Sequence, residues 1–331
     1  MTSAEFRLLN EFQRGFPLCR RPFAVIAERL QVREQTVLDR LRAFCDQGVV
    51  SRVGAVFAPR SIGASTLAAL SVPDSRREHV AAAVSARPEV NHNYEREHHY
   101  NLWFVATAPD KPRLDDVLCE IEREAGCGPV LRLPLIEEYR IDLGFDLSGA
   151  RLPPYTLPPV RSAVPVMLQP EQKRLVAALQ LGLPLVPSPY EAIAEASRFG
   201  EEEVVRTLER WIEEGIIRRF GVILRHRELG YRANAMAVWD VPDAQTDTLG
   251  ARLAREQDVT LCYRRGRALP EWRFNLFCMI HGRSREAVRR RLDELESECG
   301  LGDFDSAVLF SRRRFKQCGA RYVESAEPSH V

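Results

Sequence analysis

What this sequence lacks narrows the field first. Its eight cysteines are scattered through 331 residues with no C-x-x-C pair. That excludes the usual zinc ribbons and dithiol motifs, and it fits reduced, mostly buried thiols in a cytoplasmic protein. No apolar run approaches the length of a membrane span. The opening stretch MTSAEFRLLNEFQRGF is charged and amphipathic, without the apolar run of a secretory signal. Neither sign of charge dominates: 47 Lys and Arg against 46 Asp and Glu leave a net charge of +1. No global basic field exists to gather nucleic acid or an anionic membrane. The length is sufficient for two or more domains with cores of their own.

What is present is present twice. FPLCRRPFAVIA (16–27) reappears as LPLVPSPYEAIA (183–194), and QGVVSRVG (47–54) as EGIIRRFG (214–221). NHNYER (91–96) is answered by TLCYRR (260–265), and YNLWF (100–104) by FNLFC (274–278). This is a tandem duplication over nearly the whole chain. The copies differ at one chemically telling place: His92 falls opposite Leu261.

Each half divides again. Phe23, Ile26, Ala27 and Leu30, then Val37, Leu38, Leu41 and Phe44, repeat at helical spacing, and Gly48 stands where a C-cap glycine would. VVSRVGAVF (49–57) then reads as strand, which gives a winged helix-turn-helix pattern with a strand pair. The segments that follow read β-α-β-β-α-β, the ferredoxin-like order, with strands at 65–73, 90–97, 100–107 and 130–141. The second half repeats both patterns. The expected fold is therefore α+β, a tandem duplication in which each half is a winged helix-turn-helix followed by a ferredoxin-like βαββαβ domain. The boundaries are 1–60, 61–150, a proline-rich linker over 151–170, then 171–227, 228–322 and a tail over 323–331. Pairing of the two ferredoxin-like domains predicts a pseudo-dimer within one chain.

A winged helix raises the question of DNA, and the helices argue against it. GEEEVVRTLERWIEEG (200–215) carries Glu201, Glu202, Glu203, Glu209, Glu213 and Glu214 against Arg206 and Arg210. A phosphate backbone would repel such a helix. These modules are expected to be structural, and no DNA partner is expected.

The chemistry points to residues 92, 94, 96 and 98. Alternate side chains of a strand share a face, so His92, Tyr94, Arg96 and, nearer the turn, His98 would stand in a row. Imidazole moves protons near neutral pH, guanidinium holds a carboxylate in a fork, and a phenol adds a donor. A lone histidine on a strand is more often a satisfied structural side chain; two with an arginine in register suit an anionic substrate and a proton transfer. The second copy offers Leu261, Tyr263, Arg265 and Arg267 on the matching face. Arg264, Arg265 and Arg267 are candidates for a cationic rim, although a solvated basic loop would look the same. His281, ending an apolar strand in CMIHG, is a candidate axial metal ligand, a role for which a structural histidine is the commoner alternative. Leu261 can neither transfer a proton nor bind a metal, so one active site per chain is expected.

At NHNYEREHHYNLWFV (91–105), and again at YNLWF and FNLFCMIHG, the chain closely resembles the siroheme decarboxylases. Those proteins pair Lrp/AsnC-like subunits, each a winged helix-turn-helix with a ferredoxin-like domain. Here residues 5–147 resemble the subunit carrying N-H-N-Y-x-R-x-H with YNLWF. Residues 170–322 resemble its partner, ending in FSRRRFKQCGARY (310–322), so the two subunit types look fused. The resemblance implies a carboxy-lyase that removes carbon dioxide from two acetate side chains of siroheme, leaving methyl groups, on the way to heme d1 or heme. It implies no cofactor beyond the iron of the substrate. His92 and His98 match the family's histidines and would supply the proton; Arg96 would orient a carboxylate and Tyr94 support it. Leu261 departs from the family, whose second subunit usually has histidine there, and Trp272-Arg273-Phe274-Asn275 departs from Trp-Pro-Tyr-Asn. Expected partners are siroheme and either further decarboxylase subunits or another copy of the chain, with no membrane. The same fold would also serve a ligand-responsive transcription regulator or a non-catalytic tetrapyrrole carrier.

Overall fold

The structure is a computed structural model, and it describes residues 1–141, 144, 147 and 166–323. The proline-rich segment to residue 165, and the tail from 324, lie outside the described residues.

The first half opens with α1 (Ser3–Glu11), α2 (Pro22–Leu30) and α3 (Glu34–Asp46), then β1 (Val50–Phe57). Thr2 and Glu5 close a capping box on α1, satisfying backbone N–H groups that a helix start leaves without partners. The ferredoxin-like part follows: β2 (Ala64–Leu70), α4 (Arg77–Ala86), β3 (Val90–Arg96), β4 (Leu102–Ala108), α5 (Lys111–Ala125) and β5 (Leu131–Ile141). The second half repeats the series as α6 (Pro170–Leu179), α7 (Pro189–Ser197), α8 (Glu201–Glu213) and β6 (Ile217–Leu224). It ends with β7 (Ala233–Trp239), α9 (Asp243–Leu253), β8 (Val259–Arg265), β9 (Leu276–Gly282), α10 (Arg285–Cys299) and β10 (Ser306–Gln317). The duplication is visible in detail. Gln31 and Arg198, equivalent residues in the turn between helices, both take left-handed backbone at φ 55° and 62°.

The wing is not a strand pair within each half. β1 pairs antiparallel with β6 of the other half, in a register that sets Gly54 against Gly221. Each half contributes a single strand, so neither winged module is complete alone. The helical core is correspondingly shared: Phe23, Leu38 and Leu41 pack in one cluster with Tyr190, Leu208 and Trp211. Backbone closes tightly on this ribbon. The Val222 N–H donates to the Phe12 carbonyl and the Leu183 N–H to the Val53 carbonyl. A side chain on Gly221 would strike the Phe12 and Gln13 carbonyls.

The two four-stranded sheets join into one closed barrel in the order β10-β3-β4-β2-β5-β8-β9-β7. The joins are β10 with β3 and β5 with β8, so each seam pairs one half with the other. This is the expected pseudo-dimer, and closure leaves no edge open in the barrel. Helices α4 and α5 cover one sheet from outside, α9 and α10 the other, each over its own apolar layer. Inside, Trp103, Leu131, Leu133, Met236, Val238, Trp272, Phe277 and Leu309 form an apolar plug. All eight cysteines are free; Cys262, Cys278 and Cys299 are buried and only Cys119 is exposed. No helix among the described residues is long and apolar enough to cross a membrane.

Candidate active site

Strand order places β3 and β8 four positions apart in an eight-stranded ring, hence on opposite walls. Val90, Leu102 and Phe104 belong to the outer layer under the helices. The alternate positions face inward. A bulge between Val90 and His92 sets the register, after which His92 pairs with Val105 and Tyr94 with Trp103 of the plug. His92, Tyr94 and Arg96 therefore form the inward row expected for them. The His92 and Tyr94 rings stack with centroids 6.2 Å apart, and the Arg96 guanidinium lies 5.8 Å from the Tyr94 ring centre.

His92 Nδ1 lies 3.0 Å from Asn91 Oδ1, and the Asn91 amide donates to Thr107 Oγ1 at 3.2 Å. With the amide nitrogen committed to Thr107, the oxygen faces the imidazole, so Nδ1 carries the proton and Nε2 presents its lone pair. Burial, and then the nearby Arg52 cation, pull the His92 pKa down to about 4. Burial pushes the Tyr94 phenol up, against the pull of Arg96, Arg314, Arg227 and Arg225. It remains a neutral donor beside four cations.

Apart from Arg96, the cations around His92 and Tyr94 come from three places. Arg52 is on β1, Arg225 and Arg227 follow β6, and Arg314 is the cross-strand neighbour of Tyr94 on β10. Arg225 donates to the Gly48 carbonyl and Arg227 to the Arg312 carbonyl. Arg227 Nη1 is buried with no partner among the described residues. Among the described residues, Arg314 alone of the four has a carboxylate, Glu228 at 2.8 Å. Sequence reasoning missed all four: Arg225, Arg227 and Arg314 come from the other half, and Arg52 from a wing strand that no local spacing ties to β3.

The opposite wall has the same frame and different chemistry. Leu261, Tyr263 and Arg265 form its row; Arg265 donates to the Leu133 carbonyl as Arg96 does to that of Leu309. The residue beside Tyr263 is Glu138, and it pairs with Arg218 at 2.7 Å. Burial raises the Glu138 pKa while Arg218 opposes that shift. This wall is internally neutralised.

The other predicted residues differ in their partners or in their place. Arg96 is only 8 % exposed and spends its guanidinium on the Leu309 carbonyl and Met279 Sδ, beneath Tyr94. It supports the tyrosine from below, and burial lowers its pKa to about 10. His98 does not join the row. The strand ends at Arg96, and the His98 N–H already turns back to the Arg96 carbonyl. Its Nδ1 accepts the Tyr100 N–H at 3.1 Å, its ring abuts Trp272, and it lines an outer cleft of about 580 Å³ with His99, Arg77 and Arg312. Arg264 and Arg267 do not form a rim over the barrel. Strand alternation turns Arg264 outward to Asp243 and Asp247, and Arg267, past the strand end, is held by Asp240 and Asp243 at 2.9 and 2.6 Å. Arg265 alone of the three points inward. His281 pairs across to Asn234, Nδ1 to Oδ1 at 2.7 Å. On β9 it shares the inward parity of Phe277 and Met279. Among the described residues no cluster of His, Cys, Asp and Glu could hold a metal ion.

The comparisons with known proteins agree with this architecture. The AsnC-like ligand binding domain matches residues 62–140 and 228–316. The siroheme decarboxylase NirDL-like HTH domain matches residues 5–50 and 172–218. The siroheme decarboxylase NirDL subunit of Paracoccus denitrificans is 45% identical, over 98% of this chain and 99% of its own. The siroheme decarboxylase of Hydrogenobacter thermophilus is 32% identical, over 96% and 94%. The separate NirL and NirD subunits of Stutzerimonas stutzeri are each 51% identical, over 44% and 43% of this chain and 85% and 93% of theirs. A crystal structure of the siroheme decarboxylase NirDL superposes with a TM-score of 0.69 at 30% identity, covering 97% of this chain and 94% of that one. A second, in complex with an iron-uroporphyrin III analogue, gives 0.67 at 28%, over 96% and 93%. With full-length relatives above 30% identity and both domain types matched twice, this chain belongs to the siroheme decarboxylases, in their fused two-subunit form.

Proposed function

We propose that this chain decarboxylates siroheme, converting two acetate side chains to methyl groups in the route to heme d1. The observation that carries the reading is the collinear likeness to siroheme decarboxylases over 98% of the chain, with His92 set in a cation-rich wall. Four arginines with one acid among them suit a substrate bearing many carboxylates. Arg52 and Arg314, not Arg264 or Arg267, are the arginines in position to meet it. The substrate is an iron tetrapyrrole, and no other cofactor enters the reaction as written. His281 on the inward side of β9 is the candidate contact to the substrate's iron.

Loss of carbon dioxide from a ring-bound acetate breaks the bond between methylene and carboxylate and leaves the electron pair on the methylene carbon. One proton delivered there completes the methyl group. His92 is the donor in this reading. Its imidazole is neutral near neutral pH, because burial and Arg52 disfavour its charge. An arriving carboxylate compensates Arg52 and raises the imidazole's proton affinity, so the acid forms when substrate is present. Tyr94, a protonated phenol stacked on His92, holds the carboxylate by hydrogen bond. The test is anaerobic incubation of the purified protein with siroheme, read by mass spectrometry. Loss of two carbon dioxide masses, abolished in His92→Ala, supports the reading; siroheme bound but unchanged would make the protein a carrier.

A further inference from the structure

Arg219 serves neither the fold nor the chemistry described so far. It is the duplication mate of Arg52, for SRVG and RRFG place each two residues before the glycine at the centre of the β1–β6 ribbon. Val53, Ala55 and Phe57, with Phe220, Val222 and Leu224, turn into the helical core. Arg52 and Arg219 take alternate positions and so belong to the ribbon's other face. From there Arg52 acts on His92. By the same two-fold relation, Arg219 stands to Leu261 as Arg52 stands to His92.

Arg219 is 7 % exposed, and its Nε and Nη1 are buried with no hydrogen-bond partner among the described residues. Burial, and then Arg14 and Arg52, the charges that act on it among the described residues, hold its pKa down to about 9. A guanidinium buried among like charges without an acceptor costs folding free energy, and a hydrophobic side chain of similar length would relieve that cost. The arrangement makes sense if an anion completes it. Leu261 cannot move a proton, so a carboxylate held on that side would survive the reaction at His92.

We propose that Arg219, with Arg52, binds a carboxylate of the tetrapyrrole that is retained through the reaction, anchoring the substrate on the Leu261 side while an acetate reaches His92. This rests on the decarboxylase reading. It makes Arg219 a binding residue whose loss separates affinity from turnover.

The experiment compares wild type, Arg219→Met and Arg219→Lys by three measurements: thermal unfolding without ligand, optical titration with iron-uroporphyrin III, and steady-state anaerobic decarboxylation of siroheme. The expected result is that ligand-free Arg219→Met melts at or above the wild-type temperature. Its Kd for iron-uroporphyrin III and its KM for siroheme should rise roughly ten- to a hundredfold, the range for one charge-assisted contact. Its kcat should stay within about threefold of wild type, and Arg219→Lys should recover part of the affinity. Unchanged Kd in Arg219→Met overturns the proposal, as does a clear fall in the melting temperature of the ligand-free variant, which would make Arg219 structural. A wild type that neither binds the porphyrin nor changes siroheme removes the decarboxylase reading itself, and the proposal with it.

Discussion

Arg314 and Glu138 occupy equivalent places on opposite walls of one barrel. Arg314 is the cross-strand neighbour of Tyr94, and Glu138 that of Tyr263. The duplication preserved the tyrosine on both walls and reversed the charge beside it. One wall is open to anions and the other has its own carboxylate in place. Arg314→Glu copies the second wall onto the first and sets two acids together with Glu228. We expect the Kd for iron-uroporphyrin III to rise at least about tenfold, since an adverse charge at a binding surface costs on the order of a kcal/mol or more. Optical titration at fixed ionic strength measures it, and a change under twofold would remove Arg314 from the binding surface.

The Glu138–Arg218 pair is the structural counterpart. The two side chains are 6% and 11% exposed, with 2.7 Å between them. Removing one partner strands the other's charge in a poorly solvated place. Glu138→Leu should lower unfolding free energy by about 3 kcal/mol, whereas Glu138→Leu with Arg218→Leu should recover most of that loss. Urea denaturation of the two single variants and the double variant checks this. Additive single effects would show that the pair is not coupled.

Much of the fold is legible in the sequence because its signals are local and occur twice. Helical spacing at Val37, Leu38 and Leu41, and at Val204 and Leu208, gave the same modules in both halves, and β3 was placed within a residue of its observed end. The wing was not legible. VVSRVGAVF reads as a strand, but nothing within 49–57 says that its partner is IIRRFGVIL, more than 150 residues away. The site divides in the same way. The row His92, Tyr94, Arg96 follows from period two along one strand. His98 was placed one step too far along that row because a turn ends the strand at Arg96. Arg264 sits on the outward parity of β8, and Arg267 lies beyond its end. Arg225, Arg227 and Arg314 come from the second half and meet the row only through the pairing of halves, and Arg52 comes from a wing strand far from β3 in the sequence. A signal for Arg314 did exist in the repeat: aligning β5 with β10 sets Glu138 against Arg314, an opposition of charge within a duplicated frame.

His92 and His98 should separate kinetically. His92 faces the cations of the barrel, and His98 is tied into a turn by the Tyr100 N–H and packed on Trp272. His92→Ala should lower kcat by roughly 10² to 10⁴, the usual contribution of a positioned proton donor. His98→Ala should change kcat by less than about tenfold and act mainly through the stability of the turn. Single-turnover decarboxylation with thermal unfolding distinguishes the two. Equal loss of kcat in both variants, with native stability, would bring His98 back into the chemistry.

The charge state of His92 gives a test that needs no turnover. Its pKa is about 4 in the folded chain, against 6.5 for an unperturbed histidine. As pH falls through about 6.5 the unfolded chain takes up this proton and the folded chain does not. His92 therefore costs stability progressively between about pH 6.5 and pH 4, and nothing above that window. His92→Gln should flatten that part of the stability curve. Ligand binding acts in the opposite direction. A porphyrin carboxylate that compensates Arg52 raises the His92 pKa toward or above its ordinary value, so at pH 6 complex formation draws a proton from solution. Titration of weakly buffered protein with iron-uroporphyrin III, followed by a pH indicator, should show an uptake approaching one proton per chain. His92→Gln should lack that uptake while still binding the porphyrin. Equal uptake in both proteins would place the proton on another group and leave His92 neutral in the complex, where it could not act as the acid.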